Sequence, residues 1–160
     1  MITVAMLAIL LGLAAPSLRH LQLRWELLQT AHLLESSLSL ARSEAVRRAG
    51  KVAVRKSDVL CKPVLAETQW SCGWVVFNDL NGDGQQTDNE ETLQTIDLSG
   101  HTQVEASWSS GVLRLNRYGG VLQGGSQHFV MTHADLSGLR RTLCFHQTGR
   151  LRLQEGGACT

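Results

Sequence analysis

The residues most able to do chemistry lie near the end of the chain, in the phrase TGRLRLQ at positions 148–154. In a strand, residues two apart share a face, so Arg150 and Arg152 stand on one side and Leu151 with Leu153 on the other. Paired guanidinium groups present forked donors matched to phosphate oxygens. Gly149 carries no side chain and lets a backbone or a phosphate come close. Arg140 and Arg141 open the preceding β-type segment, Arg114 and Arg117 lie earlier, and with His146 these could converge into one basic patch. Trp108 and Tyr118 are the stacking candidates nearby, so a polyanion backbone matches better than an array of bases. The plain alternative is a solvated strand face in which Arg152 pairs with Glu155 or with an acidic segment.

A second candidate is DLNGDGQQTDNE, residues 79–90, which fits the spacing of a calcium loop. Asp79, Asn81 and Asp83 take the first ligand positions, Gly84 the turn and Glu90 the closing bidentate place. Its context argues otherwise. WVVFN before it and ETLQTIDL after it read as strands, where a calcium loop of this kind needs helices. The segment therefore reads as a hairpin turn, rich in Asn, Asp and Gly because positive φ is needed.

Four cysteines, Cys61, Cys72, Cys144 and Cys159, have no CxxC spacing and fit no zinc module. They read as two disulfides formed in an oxidising compartment. Three connectivities are possible. The nearest-neighbour one, Cys61–Cys72 with Cys144–Cys159, is preferred, each closing a short loop and contributing roughly 3 kcal/mol on a chain-entropy model. The six histidines, His20, His32, His101, His128, His133 and His146, form no ligand spacing. No GxSxG, P-loop or dinucleotide fingerprint occurs, so neither an enzyme nor a cofactor is expected.

These residues have to be positioned by a chain of 160 residues, 43% hydrophobic, enough for one core. The net charge of +1 excludes a globally basic binder, but the charge is segregated. Residues 1–78 carry nine Lys/Arg against five Asp/Glu, residues 79–105 none against seven, and residues 106–160 six against two. A polyanion would have to meet a patch. The front end, MITVAMLAILLGLAAPSL, has no charge before Arg19 and is near the short limit for crossing a bilayer. Leu27, Ala31, Leu34, Leu38, Ala41 and Ala45 then step by three and four as one amphipathic stripe. Pro16 should kink this helix, and Gly50 should stop it behind Arg47 and Arg48. The expected organisation is an apolar helical part over residues 1–18, an amphipathic part of the same helix over 19–50, and a β-rich globular part over 51–160. From Lys51 the β-type segments VAVR, WVVFN, ETLQTIDL, QVEASW, VLRLNRY, HFVMTH, RTLCFH and RLRLQ alternate with turn signals. The class is α+β, with the stripe covering a sheet face. GGVLQGGSQ reads as a mobile loop.

A long amino-terminal helix with the LAILLGLAAPSL phrase, followed by an amphipathic half, resembles a type IV pilin. The whole chain is similar to the minor-pilin and pseudopilin group named after FimT and GspH, most of all to FimT. The likeness is strongest over residues 1–50 and in WVVFNDLNGDG. It implies the pilin-like architecture, one long helix packed on an antiparallel β-sheet domain. It also implies an inner-membrane anchor with a periplasmic domain, later assembly into an extracellular pilus, and contacts with other pilins through the helix. The family's basic leader, cleavage-point glycine and FTLIE-like stretch are not in this sequence, so Met1 is expected to align a few residues inside the mature helix. In FimT-like members a carboxy-terminal GRxR motif is associated with binding incoming DNA, and Gly149, Arg150, Leu151 and Arg152 spell it here. The resemblance thus implies double-stranded DNA as a partner, held by its phosphate backbone. The rival expectation, after FimU and GspH, is a structural subunit of a pilus tip or of a type II secretion pseudopilus, without DNA binding.

Overall fold

Apolar residues recurring every three to four positions can be buried together only on a helix, and the chain takes that form in α1, Ile2–Arg47. The computed structural model describes residues 2–59, 61, 65–99, 101–136 and 138–159, with side chains from residue 19 onward. The side chains of residues 1–18, on which the expected transmembrane role and the kink at Pro16 rest, lie outside the described ones. Among the described residues no helix is long and apolar enough to cross a membrane. Every residue of the stripe from Leu27 to Ala45 is fully buried. The helix ends as expected. Ala49 and Gly50 turn to positive φ, and the Gly50 amide donates to the Ala45 carbonyl at 2.8 Å. Arg48, then Arg47, hydrogen-bond Glu44 and hold its carboxyl below the usual range, and Arg48 also reaches Glu91 at 2.7 Å.

Among the described residues eight strands follow, one for each β-type segment: β1 (Val52–Lys56), β2 (Gly73–Phe77), β3 (Thr92–Asp97), β4 (Thr102–Ala106), β5 (Val112–Leu115), β6 (Gln127–His133), β7 (Arg140–Phe145) and β8 (Leu151–Glu155). They form two four-stranded antiparallel sheets, ordered β3-β2-β1-β5 and β4-β6-β7-β8. The stripe therefore does not cover a single sheet. It packs on strands of both, and one core joins Leu34 and Leu38 to Val54 and Trp74 of the first sheet and to Phe129 and Leu143 of the second.

Both disulfides pair nearest neighbours, Cys61–Cys72 and Cys144–Cys159. The first staples the segment between β1 and β2, where the buried Lys56 ammonium donates to the Leu65 carbonyl at 2.8 Å. The glycine-rich run 119–127, expected to be mobile, is tied down over its first part. Val121 is buried and bridges to Leu115, and the Leu122 amide donates to Arg114 at 2.9 Å.

Candidate nucleic-acid interface

The β7–β8 hairpin carries the arginine pair. Alternation does what the sequence implies: Leu151 and Leu153 lean on the core while Arg150 and Arg152 are exposed. Arg150 sits one residue before β8, in the turn, where its carbonyl accepts the His146 amide at 2.8 Å. Arg152 is opposite Cys144, which is opposite His128 on β6, so the three form a row on the outer face of the second sheet. Cys144 is bonded to Cys159 there, tying the tail to the middle of the sheet. The result is a shallow cleft lined by Ser126, Cys144, His146, Arg150, Arg152 and Cys159. His146 is itself oriented, its Nδ1 lying 3.2 Å from Thr148 Oγ1. Two guanidinium groups at the mouth of an open cleft suit an extended anion better than a small molecule that must be enclosed.

Of the two close approaches expected at Gly149, it is a backbone that comes close. Its φ is +85°, and a Cβ there would lie 2.5 Å from the Gly119 carbonyl oxygen and 2.9 Å from Arg42 Nε. The space beside Gly149 is filled by the protein, so this glycine serves the close packing of two turns, 116–120 and 146–149. Gly120 is pressed in the same way against the Gln147 carbonyl. Arg42, an exposed residue of α1, runs beneath both turns, beside the glycine that precedes Arg150. Sequence reasoning missed it because it lies over a hundred positions away. The available signal was its place beside Ala41, on the border of the buried stripe. The 116–120 turn also carries Arg117, exposed, and Tyr118, 78% exposed.

The remaining candidates point elsewhere. Arg140 and Arg141 are at the far end of β7, with Arg141 about 10 Å along the strand from Cys144. Arg141 pairs with Glu155 at 2.5 Å, and Arg140 borders a hollow with Gln69, Gln103 and Thr132. Arg114 donates to the Gly82 carbonyl, toward the acidic turn. Trp108 stacks edge-on with Trp70 and Phe129, and its Nε1–H donates to the Val112 carbonyl at 2.9 Å. The structure thus brings together Gly149, Arg150, Arg152, His146 and, by way of the neighbouring turn, Arg117. It keeps Arg114, Arg140 and Arg141 apart from them.

The calcium-like segment is the β2–β3 connection. Its carboxylates hold the loop's own amides: Asp79 accepts from Gly84 at 3.2 Å, Asp83 from Gln85 at 2.7 Å, and Glu90 from Leu80 at 2.8 Å and Thr87 at 3.0 Å. Burial alone would raise the Glu90 pKa, but the Thr87 and Leu80 amides outweigh it and hold the group below the usual carboxylate range. Asn81 accepts the Asp83 amide and closes the turn. Among the described residues no cluster of three or more His, Cys, Asp or Glu is placed to hold a metal.

The family model described as type II transport protein GspH matches residues 30–149. Among solved structures, two crystal forms of the type IV minor pilin FimU of Pseudomonas aeruginosa (strain PAO1) share the fold. The form in space group P21 is 19% identical with a TM-score of 0.64, over 86% of this chain and 97% of that one. The form in P65 is 18% identical with a TM-score of 0.60, over 81% and 97%. No curated protein sequence matches the chain. The family match ends at Gly149, so it covers α1 from residue 30 and most of both sheets but not Arg150 and Arg152.

Proposed function

The chain belongs to the GspH family, a group of pilin-like structural proteins and not enzymes, and from that membership we propose that it is a minor pilin that captures DNA. It binds extracellular double-stranded DNA without sequence preference and supports uptake in natural transformation. Before assembly it sits in the inner membrane with its β-rich part in the periplasm, and it joins other pilins in the filament through α1. The observation that carries this reading is the cleft in which Arg150 and Arg152 of the GRLR segment stand beside His146, with the strand pinned by Cys144–Cys159. Phosphate contacts of this kind are independent of sequence and weaken steeply with salt.

The test uses the full chain in a non-ionic detergent and two labelled duplexes of unrelated sequence, titrated across a salt series. Both duplexes should bind alike. Replacing Arg150→Gln and Arg152→Gln together should weaken binding and flatten the log–log salt slope by roughly 1.8, about 0.9 for each phosphate neutralised. Unchanged affinity and slope in a folded double variant would remove the arginine pair from the function.

A second reading is a structural subunit of a pilus tip or a type II secretion pseudopilus with no DNA ligand. It is favoured by the description of the matching family as a type II transport protein and by the FimU fold. On this reading the double variant assembles and secretes normally, and the wild type ignores DNA at low salt.

A further inference from the structure

We infer that Tyr118 gives the interface a preference for unpaired DNA, by stacking one base of a strand whose phosphates lie along Arg42, Arg150 and Arg152. This rests on the DNA-binding reading above and adds to it a ligand class, single-stranded or frayed DNA. Most aromatic side chains of the β-rich part are committed to the core: Trp70, Trp74, Phe77, Phe129 and Phe145 are fully buried, and Trp108 is held edge-on between two of them. Tyr118 is the exception, with 78% of its surface open.

An exposed ring alone would mean little. Three further observations make this one a platform. The turn that carries it is rigid. Asn116 Oδ1 accepts the amides of Tyr118 at 2.9 Å and Gly120 at 3.1 Å, and the Asn116 amide donates to the Gly120 carbonyl at 2.8 Å. A ring on a fixed backbone loses little entropy when a base settles on it. The turn is also locked to the arginine motif, since the Gly119 carbonyl fills the space beside Gly149 and Arg150 is the next residue. Finally, cations border the turn that carries the ring. Arg117 precedes it, and the Arg42 side chain runs beneath Gly119 with Cγ 2.6 Å from where a Cβ would stand.

An aromatic face beside a basic track is the arrangement that holds single strands, where the bases are free to lie flat on a ring. In a duplex the base faces are already stacked on one another, so the same ring can touch only a backbone or a frayed end. Stacking of one base corresponds to roughly 5- to 150-fold in affinity.

The experiment measures anisotropy of a labelled thymidine homopolymer and of a blunt duplex of equal length, with the full chain in detergent. Wild type, Tyr118→Ala, Tyr118→Phe and the Arg150→Gln, Arg152→Gln double variant are compared after circular dichroism has shown each to be folded. The wild type should bind both DNAs, the single strand more tightly. Tyr118→Ala should lose roughly 5- to 150-fold on the single strand with the duplex unchanged. Tyr118→Phe should keep the wild-type preference, because the ring and not the hydroxyl makes the contact. Duplex binding that needs the arginines, together with single-strand binding indifferent to Tyr118→Ala, overturns the tyrosine assignment and leaves the DNA reading in place. Equal loss on both DNAs in Tyr118→Ala overturns it as well. A wild type that binds neither DNA overturns the DNA reading and this inference with it.

Discussion

At Gly149 the backbone has a φ of +85°, and the Gly119 carbonyl oxygen lies 2.5 Å from the position a Cβ would take. Both facts act against any side chain there, the first through the left-handed backbone and the second through a clash with main chain that cannot rotate aside. Gly149→Ala should therefore lower stability by more than about 1 kcal/mol, the cost expected where an alanine is forced to positive φ. It should also push apart the turns that carry Arg150 and Tyr118. A thermal melt and a DNA titration of the same sample check the two effects, and an alanine variant as stable as wild type would mean that the turns are not interlocked. The identities and face of Arg150 and Arg152 were legible from alternation alone, because the period of a strand is a local property. Which backbone presses on the glycine was not legible, since it comes from residue 119, with Arg42 beside it. Local sequence shows which way a side chain points and is silent about distant backbone.

The β2–β3 connection shows the same division at the level of an element. Its composition marked a turn between strands, and the structure has one, but the composition also matched a metal loop. What separates the two is where the carboxylates spend their acceptor capacity, here on the amides of Gly84, Gln85, Leu80 and Thr87. Glu90 titrates below the usual carboxylate range in the folded chain, because its amide partners outweigh the opposing effect of burial. A folded value below the unfolded one, about 4.3 for glutamate, means that Glu90 adds stability above that pH. That contribution is lost as pH falls from there through the lower folded value. Glu44, held down by Arg48 and Arg47, acts with the same sign. Glu90→Gln should lower the melting temperature at neutral pH and flatten its decline in acid, so the two curves converge at low pH. Parallel curves across the whole range would show that the charge of Glu90 does not support the turn. The eight strands were legible segment by segment, whereas their division into two sheets was not. β1 pairs with β5 and β4 with β6, and hydrophobic alternation gives the face of a strand without naming its neighbour.

Across the whole molecule, α1 is what makes two small sheets into one body. Each sheet has four strands and offers its inner face to the same stripe, so neither has a core without the helix. That arrangement puts the arginine cleft on the outer face of the second sheet, while its inner face, through Phe129 and Leu143, is sealed by the helix. Leu34 is fully buried within this shared core. Truncating it to alanine removes apolar contact and leaves a cavity that the flanking sheets can only partly close, a change costing about 2–5 kcal/mol. Because the core is shared, the loss should appear everywhere at once. In urea, Leu34→Ala should shift the unfolding midpoint equally whether it is followed by the fluorescence of the four tryptophans, of which Trp70 and Trp74 are fully buried, or by the far-ultraviolet signal of the whole backbone. Midpoints that separate would mean that the sheets unfold independently and that the helix merely lies against them. On the DNA-binding proposal, the folded fraction of Leu34→Ala below the transition should keep the wild-type affinity, since Arg150 and Arg152 are held by the hairpin register and the Cys144–Cys159 bond and not by Leu34.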